Sequence, residues 1–443
     1  MPRNKMSVTQ LTFLTGLNMI GSGIIMLPAK TAKIGMISLL AWGVTIAGVL
    51  ALSHCFAKCG MLSRHRGGLG GIAEYAFGRS GSFMTNYTYG LSLVIANVAI
   101  GITSVSYLTD FLGFALSPWT SGLITVALLW LSTLANFGGP KVTGRLSAAV
   151  FWGVLIPLLI FLAVGPFHFS AALFAANWNP SGMPVADAVH AALPMLLWSF
   201  LGLESACANS ESVDNPDKNV PKAVLLATVG VAFFFVATSV LVGGMVPNAE
   251  LADSSAPFGI VFASLFGGTT AKVLTILMGL SCTGSMMAWQ FTLSRVLKSS
   301  ADIGYFPRIF RKVTRKDVPI AGMVVITLVQ TVLVAISATP SLFGQFSVLV
   351  DLSVVTNIIP YVSCIAPLYL LVRLDHAKLR QPRLIVFNTT VALLYVFYVL
   401  LTMDAFTMKL ATLAVFSGWT IYAALVARNN VNAPPAAPTP PSP

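Results

Sequence analysis

Charge is what this sequence has least of. Only 9% of its 443 residues are Asp, Glu, Lys or Arg, and the acids number 14, against about 25% charged residues in a soluble domain. A water-soluble globular class is excluded, and with 56% hydrophobic residues and a mean hydropathy of +0.83 the chain reads as an integral membrane protein. Cysteine is sparse too: Cys55, Cys59, Cys207, Cys282 and Cys364 fall in or near apolar runs, with no pairing pattern in the loops, so a disulfide framework is not expected. Cys55 and Cys59 stand one helical turn apart, but no His or acid completes a tetrahedral metal set beside them. The five histidines are scattered without ligand spacing, and no nucleophile and base are recognisable together. A Gly-Lys-Ser/Thr motif is missing as well, which removes the signature of an ATP-driven pump. Neither an enzyme nor a bound cofactor or metal is expected.

What is present is length of apolar chain. A membrane helix needs about 20 residues, and runs of that size fall near 9–33, 35–58, 82–112, 119–137, 147–166, 186–209, 220–246, 270–298, 320–338, 346–372, 384–402 and 407–427. This predicts an all-α protein of twelve transmembrane helices, with no β-barrel alternation competing. The first run is too long for a cleavable signal and lacks a small-residue cleavage site, so it stays as helix 1. Residues 1–431 then form one transmembrane domain, and the Pro- and Ala-rich stretch 432–443 reads as a disordered tail.

The net charge of +12 is distributed by loop. Arg3 and Lys5, Lys58 to Arg79, Lys141 and Arg145, Lys218 and Lys222, Arg295 to Lys316, Arg373 to Arg383 and Arg428 collect in alternate loops, while the others hold only Lys30, Lys33, Lys272 and Lys409. Under the positive-inside rule both termini and every even-numbered loop are cytoplasmic. The basic balance is therefore topology, and nucleic acid is not expected as a partner. No Lys or Arg is expected well inside an apolar segment.

Two of the apolar runs are interrupted. Helix 1 carries Gly21-Ser22-Gly23, and helix 6 carries Trp198-Ser199-Phe200-Leu201-Gly202-Leu203-Glu204. Unwound backbone at membrane depth is tolerated only where it lines a cavity or is buried in protein; packing of small residues against a neighbouring helix is the plain alternative at Gly21. The breaks occupy corresponding places five helices apart, which points to an inverted-repeat transporter with its site between them. Repeat 1 spans about 9–166, repeat 2 about 186–372, and two further helices occupy about 384–427.

Glu204 is the one acid of its run. An ionised carboxylate in a bilayer costs several kcal/mol unless compensated, and no basic side chain is expected near it, so the missing positive charge is expected to arrive with a cationic substrate. The faces of Trp198, Trp289 and Tyr422 could hold ammonium groups, at about 0.5–2 kcal/mol each. A substrate carboxylate could sit on the positive end of the second half of helix 1, beside Gly21, Ser22 and Gly23. One pocket could thus take an amino acid and its decarboxylated amine. Trp42, Trp119 and Trp178 read as belt or loop residues. Gly67-Gly68-Leu69-Gly70-Gly71, before Glu74, is too Gly-rich to begin a stable helix; it reads as a solvated loop or a mobile gate element. Thr356, Asn357 and Pro360 suggest a kinked gating helix or interhelical hydrogen bonds.

Gly21 to Pro28, Gly70 to Gly78, Ala135-Asn136-Phe137-Gly138-Gly139, Trp198 to Asn209, Ala256-Pro257-Phe258-Gly259, Trp289-Gln290-Phe291-Thr292, Tyr305-Phe306-Pro307 and Val355 to Tyr361 together resemble the amino acid/polyamine/organocation transporters, and within them the basic amino acid/polyamine antiporters. The resemblance runs from Met6 to about Tyr422. It implies a leucine-transporter-like 5+5 fold with broken helices 1 and 6, and exchange of cytoplasmic putrescine for external ornithine across a bacterial inner membrane, with proton-driven putrescine uptake also known in the family. It places substrate roles on Cys59, Trp198, Glu204, Trp289 and Tyr422, supporting roles on Glu74 and Tyr89, and weaker ones on Lys298 and Tyr305. By the related arginine–agmatine antiporters, Gly21, Ser22, Gly23, Asn97 and the backbone near Leu201 face the substrate. It also allows a homodimer. A departure lies at the C-terminus, where one member of that family carries a Glu beyond the last helix and this chain has Asn430 in a Pro-rich tail. Cadaverine/lysine and agmatine/arginine exchange stay open, as does proton-coupled symport of amino acids on the same fold; a polyamine-sensing receptor and an intramembrane enzyme are the readings from other classes.

Overall fold

The computed structural model describes residues 7–62, 68–114, 116–204, 215–315, 318–338, 341–374 and 381–431. Among these residues every regular element is helical. In chain order they are α1 (Val8–Met19), α2 (Ser22–Ala32), α3 (Leu39–Leu62), α4 (Gly68–Leu112), α5 (Pro118–Asn136), α6 (Pro140–Val164), α7 (Ala171–Ala176), α8 (Val185–Ser199) and α9 (Pro216–Gly243). The remainder are α10 (Asn248–Leu251), α11 (Pro257–Phe266), α12 (Gly268–Asp302), α13 (Ile320–Ser337), α14 (Leu342–Ile365), α15 (Leu368–Leu374), α16 (Pro382–Leu401) and α17 (Ala405–Val431).

Local signals explain several boundaries. Ser7 caps α1 in a reciprocal pair with Gln10, satisfying two otherwise orphaned N–H groups. Pro stands in the first turn of α5, α6, α9 and α16, where its missing N–H costs nothing. Among the described residues, ten stretches of helix are long and apolar enough to cross a membrane. They coincide with ten of the twelve expected segments; the other two, 9–33 and 186–209, are those that carry the breaks. Helix α1 ends at Met19 and α2 begins at Ser22, while α8 stops at Ser199 and gives way to a turn through Glu204. Residues 205–214, with Cys207 and the rest of the expected sixth helix, lie outside the described residues, as does the Pro-rich stretch 432–443. Cys55, Cys59, Cys282 and Cys364 are buried and not in disulfides.

Helix α4 lies at the centre. Its most apolar window is 89% buried, against 11% for α17 at the periphery, and it packs along α12 and α14. Helix α2 packs on α8, so the second half of the first broken helix sits on the first half of the other.

Three expectations are corrected here. Residues 68–75 are not a solvated loop: they are the helical start of α4, with Leu69 to Ala73 buried, and the helix kinks at Gly78. The glycines serve close approach, since the Gly70 N–H donates to Asn86 Oδ1 at 3.0 Å and a Cβ on Gly70 would come within 2.6 Å of the Ser82 carbonyl. Trp42 is no belt residue. It is 3% exposed and packs edge-on to Phe200, centroids 6.2 Å apart, behind the break in the sixth segment. Lys30 is not in a loop but in the last turn of α2, and its ammonium pairs with Asp351 of α14 at 3.2 Å and bonds Ser347.

Candidate functional site

The two breaks touch each other. A Cβ on Gly23 would stand 2.9 Å from the Cα of Ser199, and one on Gly202 would stand 2.6 Å from the Asn18 carbonyl oxygen. Each broken strand of backbone therefore lies directly on the other. Gly202 also has φ of +113°, a conformation that side chains disfavour, so glycine is required there by geometry as well as by space.

The turn after Ser199 delivers Glu204 into the protein interior. It is 3% exposed. Its Oε1 accepts from the Tyr89 hydroxyl at 2.8 Å. Its Oε2 accepts from the Tyr361 hydroxyl at 2.7 Å and from the Gly202 N–H at 2.9 Å. Among the described residues no basic side chain pairs with it. The carboxylate is thus satisfied by neutral donors from α4, α14 and its own turn. Hydrogen bonds solvate its charge but leave the charge uncancelled.

Beside Glu204 is a narrow cavity of about 40 Å³, little more than one water's share of liquid volume, about 30 Å³. Gly21, Gly23, Trp198, Leu201 and Trp289 line it with Glu204, and Ser22 opens α2 between the two glycines. Asn18, Gly21, Ser285 and Trp289 also line an adjoining chamber of about 350 Å³ that runs between the break in the first segment, α6 and α12. Trp289 forms part of the wall of both.

Several expected site residues are elsewhere. Tyr422 does not reach this cavity. It packs on Phe83, centroids 5.1 Å apart, and belongs with Tyr305 and Glu74 to a second group where α4 begins and α12 ends. There the Tyr305 hydroxyl donates to Glu74 Oε1 at 2.8 Å, and burial followed by that carboxylate pushes the phenol up to about 12. Lys298 pairs with Asp302 at 2.6 Å on the same helix. Cys59 lies behind the site, its thiol donating to the Cys364 carbonyl at 3.2 Å. Asn97 shares its face of α4 with the lining residues Leu93 and Ile100, but its amide donates to Gln290 at 2.8 Å and it is 0% exposed.

Four residues were not singled out from the sequence: Tyr361, Asn18 and Ser285 at the site, and Asp351 beside Lys30. Tyr361 is the second hydroxyl on Glu204; its signal in the sequence was its place four residues, one helical turn, beyond the polar Asn357. Asp351 is the one acid of its apolar run, the rule that drew attention to Glu204. Asn18 and Ser285 are small polar residues with no such signal.

The model of a family described as amino acid permease matches residues 6–428. The chain belongs to that family. The permease is 49% identical over 419 residues to the putrescine transporter PotE of Escherichia coli (strain K12), covering 95% of each chain. It is 48% identical to the putrescine transporter PotE of Haemophilus influenzae, covering 95% of this chain and 96% of that one. Against the cadaverine/lysine antiporter of Escherichia coli (strain K12) the identity is 31% over 373 residues, 82% of each.

Proposed function

We propose that this permease is a secondary antiporter exchanging cytoplasmic putrescine for external ornithine across the inner membrane by alternating access. Its termini lie in the cytoplasm, and its twelve crossings are arranged as a 5+5 inverted repeat with segments 1 and 6 broken. The observation that carries the reading is Glu204: a buried carboxylate at the contact of two broken segments, held by two hydroxyls and one N–H and facing a cavity walled by Trp198 and Trp289. The relatives at 48 and 49% identity, named putrescine transporters, point the same way.

An ammonium group of the diamine takes the place opposite Glu204, between the indole faces. The α-carboxylate of ornithine lies at the start of α2, where the first-turn N–H groups lack partners in their own helix. Exchange of a dication for a monocation moves one net charge, so the membrane potential drives it at about 2.3 kcal/mol per 100 mV. Because Glu204 accepts from Tyr89 of α4 and Tyr361 of α14, an ammonium that approaches the carboxylate must break or share those bonds. That competition couples occupancy to movement of α8 against α4 and α14.

The test is exchange in proteoliposomes. Labelled putrescine outside should enter only when putrescine or ornithine is inside, and a panel of ornithine, lysine, arginine, cadaverine and agmatine should place ornithine first among the amino acids. Uptake that ignores internal substrate would exclude exchange, and a preference for lysine with cadaverine would move the permease to the other substrate pair.

A further inference from the structure

Residues 303–319 join two helices long and apolar enough to cross a membrane, α12, which ends at Asp302, and α13, which begins at Ile320. Within this connection a short 3-10 turn, Arg308–Arg311, packs back on both helices, which holds it at the membrane surface. Arg308, Arg311, Lys312 and Arg315 are all exposed, so four cations fall within eight consecutive positions. Interleaved with them are Ile309, 41% exposed, and Val313, 44% exposed. Among the described residues the one acid paired with any of these cations is Asp302, 3.8 Å from Arg311, and Lys298 holds that carboxylate closer, at 2.6 Å. The positive charge of the patch is therefore left almost uncompensated by the protein.

The patch is anchored by its own contacts. Phe310 is buried, lies edge-on to Phe306 with centroids 6.0 Å apart, and rests on Gly322, where a Cβ would come within 2.9 Å of its ring. A turn closes the stretch: the Thr314 N–H donates to the Val318 carbonyl at 3.0 Å, and the Val318 N–H donates to the Thr314 hydroxyl at 3.3 Å. One aromatic ring thus points inward while its charged and aliphatic neighbours stay outside. At a membrane surface that composition binds by two means, apolar side chains entering the acyl boundary and cations meeting anionic lipid. Three of the four cations are Arg, whose guanidinium offers a phosphate two parallel N–H donors. Because the surface is already shaped, binding loses little ordering entropy.

We propose that residues 308–315 form a docking surface for anionic phospholipid: headgroup phosphates lie on Arg308, Arg311, Lys312 and Arg315, and Ile309 and Val313 enter the acyl boundary between them. Charge complementarity selects the occupant. A zwitterionic headgroup brings no net charge to the patch, and a free anion has no acyl chain for Ile309 and Val313 to meet. By the loop charges the lipid belongs to the cytoplasmic leaflet. Phe310 carries the contact inward, because Phe306, on which it packs, stacks on Phe83 of α4 with centroids 5.1 Å apart. Bound lipid therefore steadies the end of α12 against the start of α4, beside the Tyr305–Glu74 hydrogen bond.

The experiment is thermal unfolding of the purified full-length permease in neutral detergent, with phosphatidylglycerol, phosphatidylcholine or inorganic phosphate titrated in. Phosphatidylglycerol should raise the unfolding temperature, phosphatidylcholine should need about tenfold more or greater for the same rise, and inorganic phosphate at matched concentration should leave it unchanged. Each Lys or Arg near an anionic surface contributes about fivefold in affinity. Arg308→Gln and Arg315→Gln should therefore each raise the phosphatidylglycerol concentration for half the effect about fivefold, and the two together about 25-fold. Ile309→Ser with Val313→Ser should raise it several-fold without altering its dependence on salt. Arg145→Gln and Arg383→Gln, at exposed cations elsewhere, are the controls and should shift it by less than about twofold. Equal effects of the two lipids, an equal effect of inorganic phosphate, indifference to Arg308→Gln with Arg315→Gln, or an equal loss in the controls overturns the docking surface. The result is independent of putrescine exchange, which proteoliposomes report separately, so failure of either reading leaves the other standing.

Discussion

Replacing Glu204 by Gln changes one atom and one charge, and its consequence can be worked from the contacts. The amide oxygen can keep the Gly202 N–H and the Tyr361 hydroxyl, now at 2.9 and 2.7 Å from Oε2. The new NH2 then faces Tyr89, whose hydroxyl oxygen, 2.8 Å from Oε1, can turn to accept. The protein itself therefore loses little. The substrate loses its counter-charge: an ammonium about 5 Å away at an effective dielectric of about 20 gives up about 3 kcal/mol, which is about a hundredfold in affinity. The assay is competition binding of putrescine to purified protein at fixed ionic strength, with thermal unfolding as the control for folding. A loss of less than about threefold with unchanged unfolding would remove Glu204 from the site and refute the argument that its charge awaits a ligand. Tyr361→Phe is the companion variant: it keeps the charge, withdraws one donor, and should lower exchange several-fold while leaving binding measurable.

Trp289→Leu should weaken putrescine binding about tenfold or more, since Trp289 walls both cavities, whereas Trp119→Leu should leave it unchanged because that ring is 79% exposed; the same competition assay decides. Asp351→Asn strands the Lys30 ammonium and should cost about 2 kcal/mol of stability, below the 3–5 kcal/mol of a fully buried pair because the two side chains remain 15% and 20% exposed. The double variant Lys30→Met with Asp351→Asn should lose less than the sum of the two single variants, and thermal unfolding in that double-mutant cycle measures the coupling. Asp404 caps α17, accepting from the N–H groups of Phe406 and Thr407 at 2.9 Å each, and its hydrogen bonds to the Thr407 side chain and backbone hold its carboxyl below the usual range. A carboxyl depressed by folding stabilises above its unfolded value and loses that contribution as pH falls. Asp404→Ala should therefore cost about 1 kcal/mol at neutral pH, with the difference from the unsubstituted protein narrowing below about pH 4; unfolding at pH 7 and pH 3 tests it.

The family was legible in the sequence because its determinants are local. A membrane helix is a run of apolar residues about 20 long, and ten such runs became ten helices close to their expected ends, except that α4 begins at Gly68, well before the expected residue 82. The breaks at Gly21 and beyond Ser199 announced themselves through Gly and Ser in otherwise apolar segments. Glu204 stood out because one charge in a lipid-facing composition demands an explanation. Where local reading failed, the cause was a contact it cannot see. The glycines from Gly68 to Gly71 looked like a loop until Asn86 and Ser82 folded back on them, and Trp42 looked interfacial until Phe200 and Phe235 enclosed it.

The sequence by itself determined that this chain lives in a membrane, where its helices run and break, and that an anion is buried at one break. Only the tertiary structure decided what holds that anion and what stands across from it. Tyr89 and Tyr361 reach Glu204 from 115 and 157 residues away, Lys30 finds Asp351 across 321, and Gln290 finds Asn97 across 193. The physical reason is one of range. Hydropathy and helix breaking act over a few turns of chain, whereas the partner of a hydrogen bond is fixed by how separate helices pack, and that information is spread over every residue that packs them.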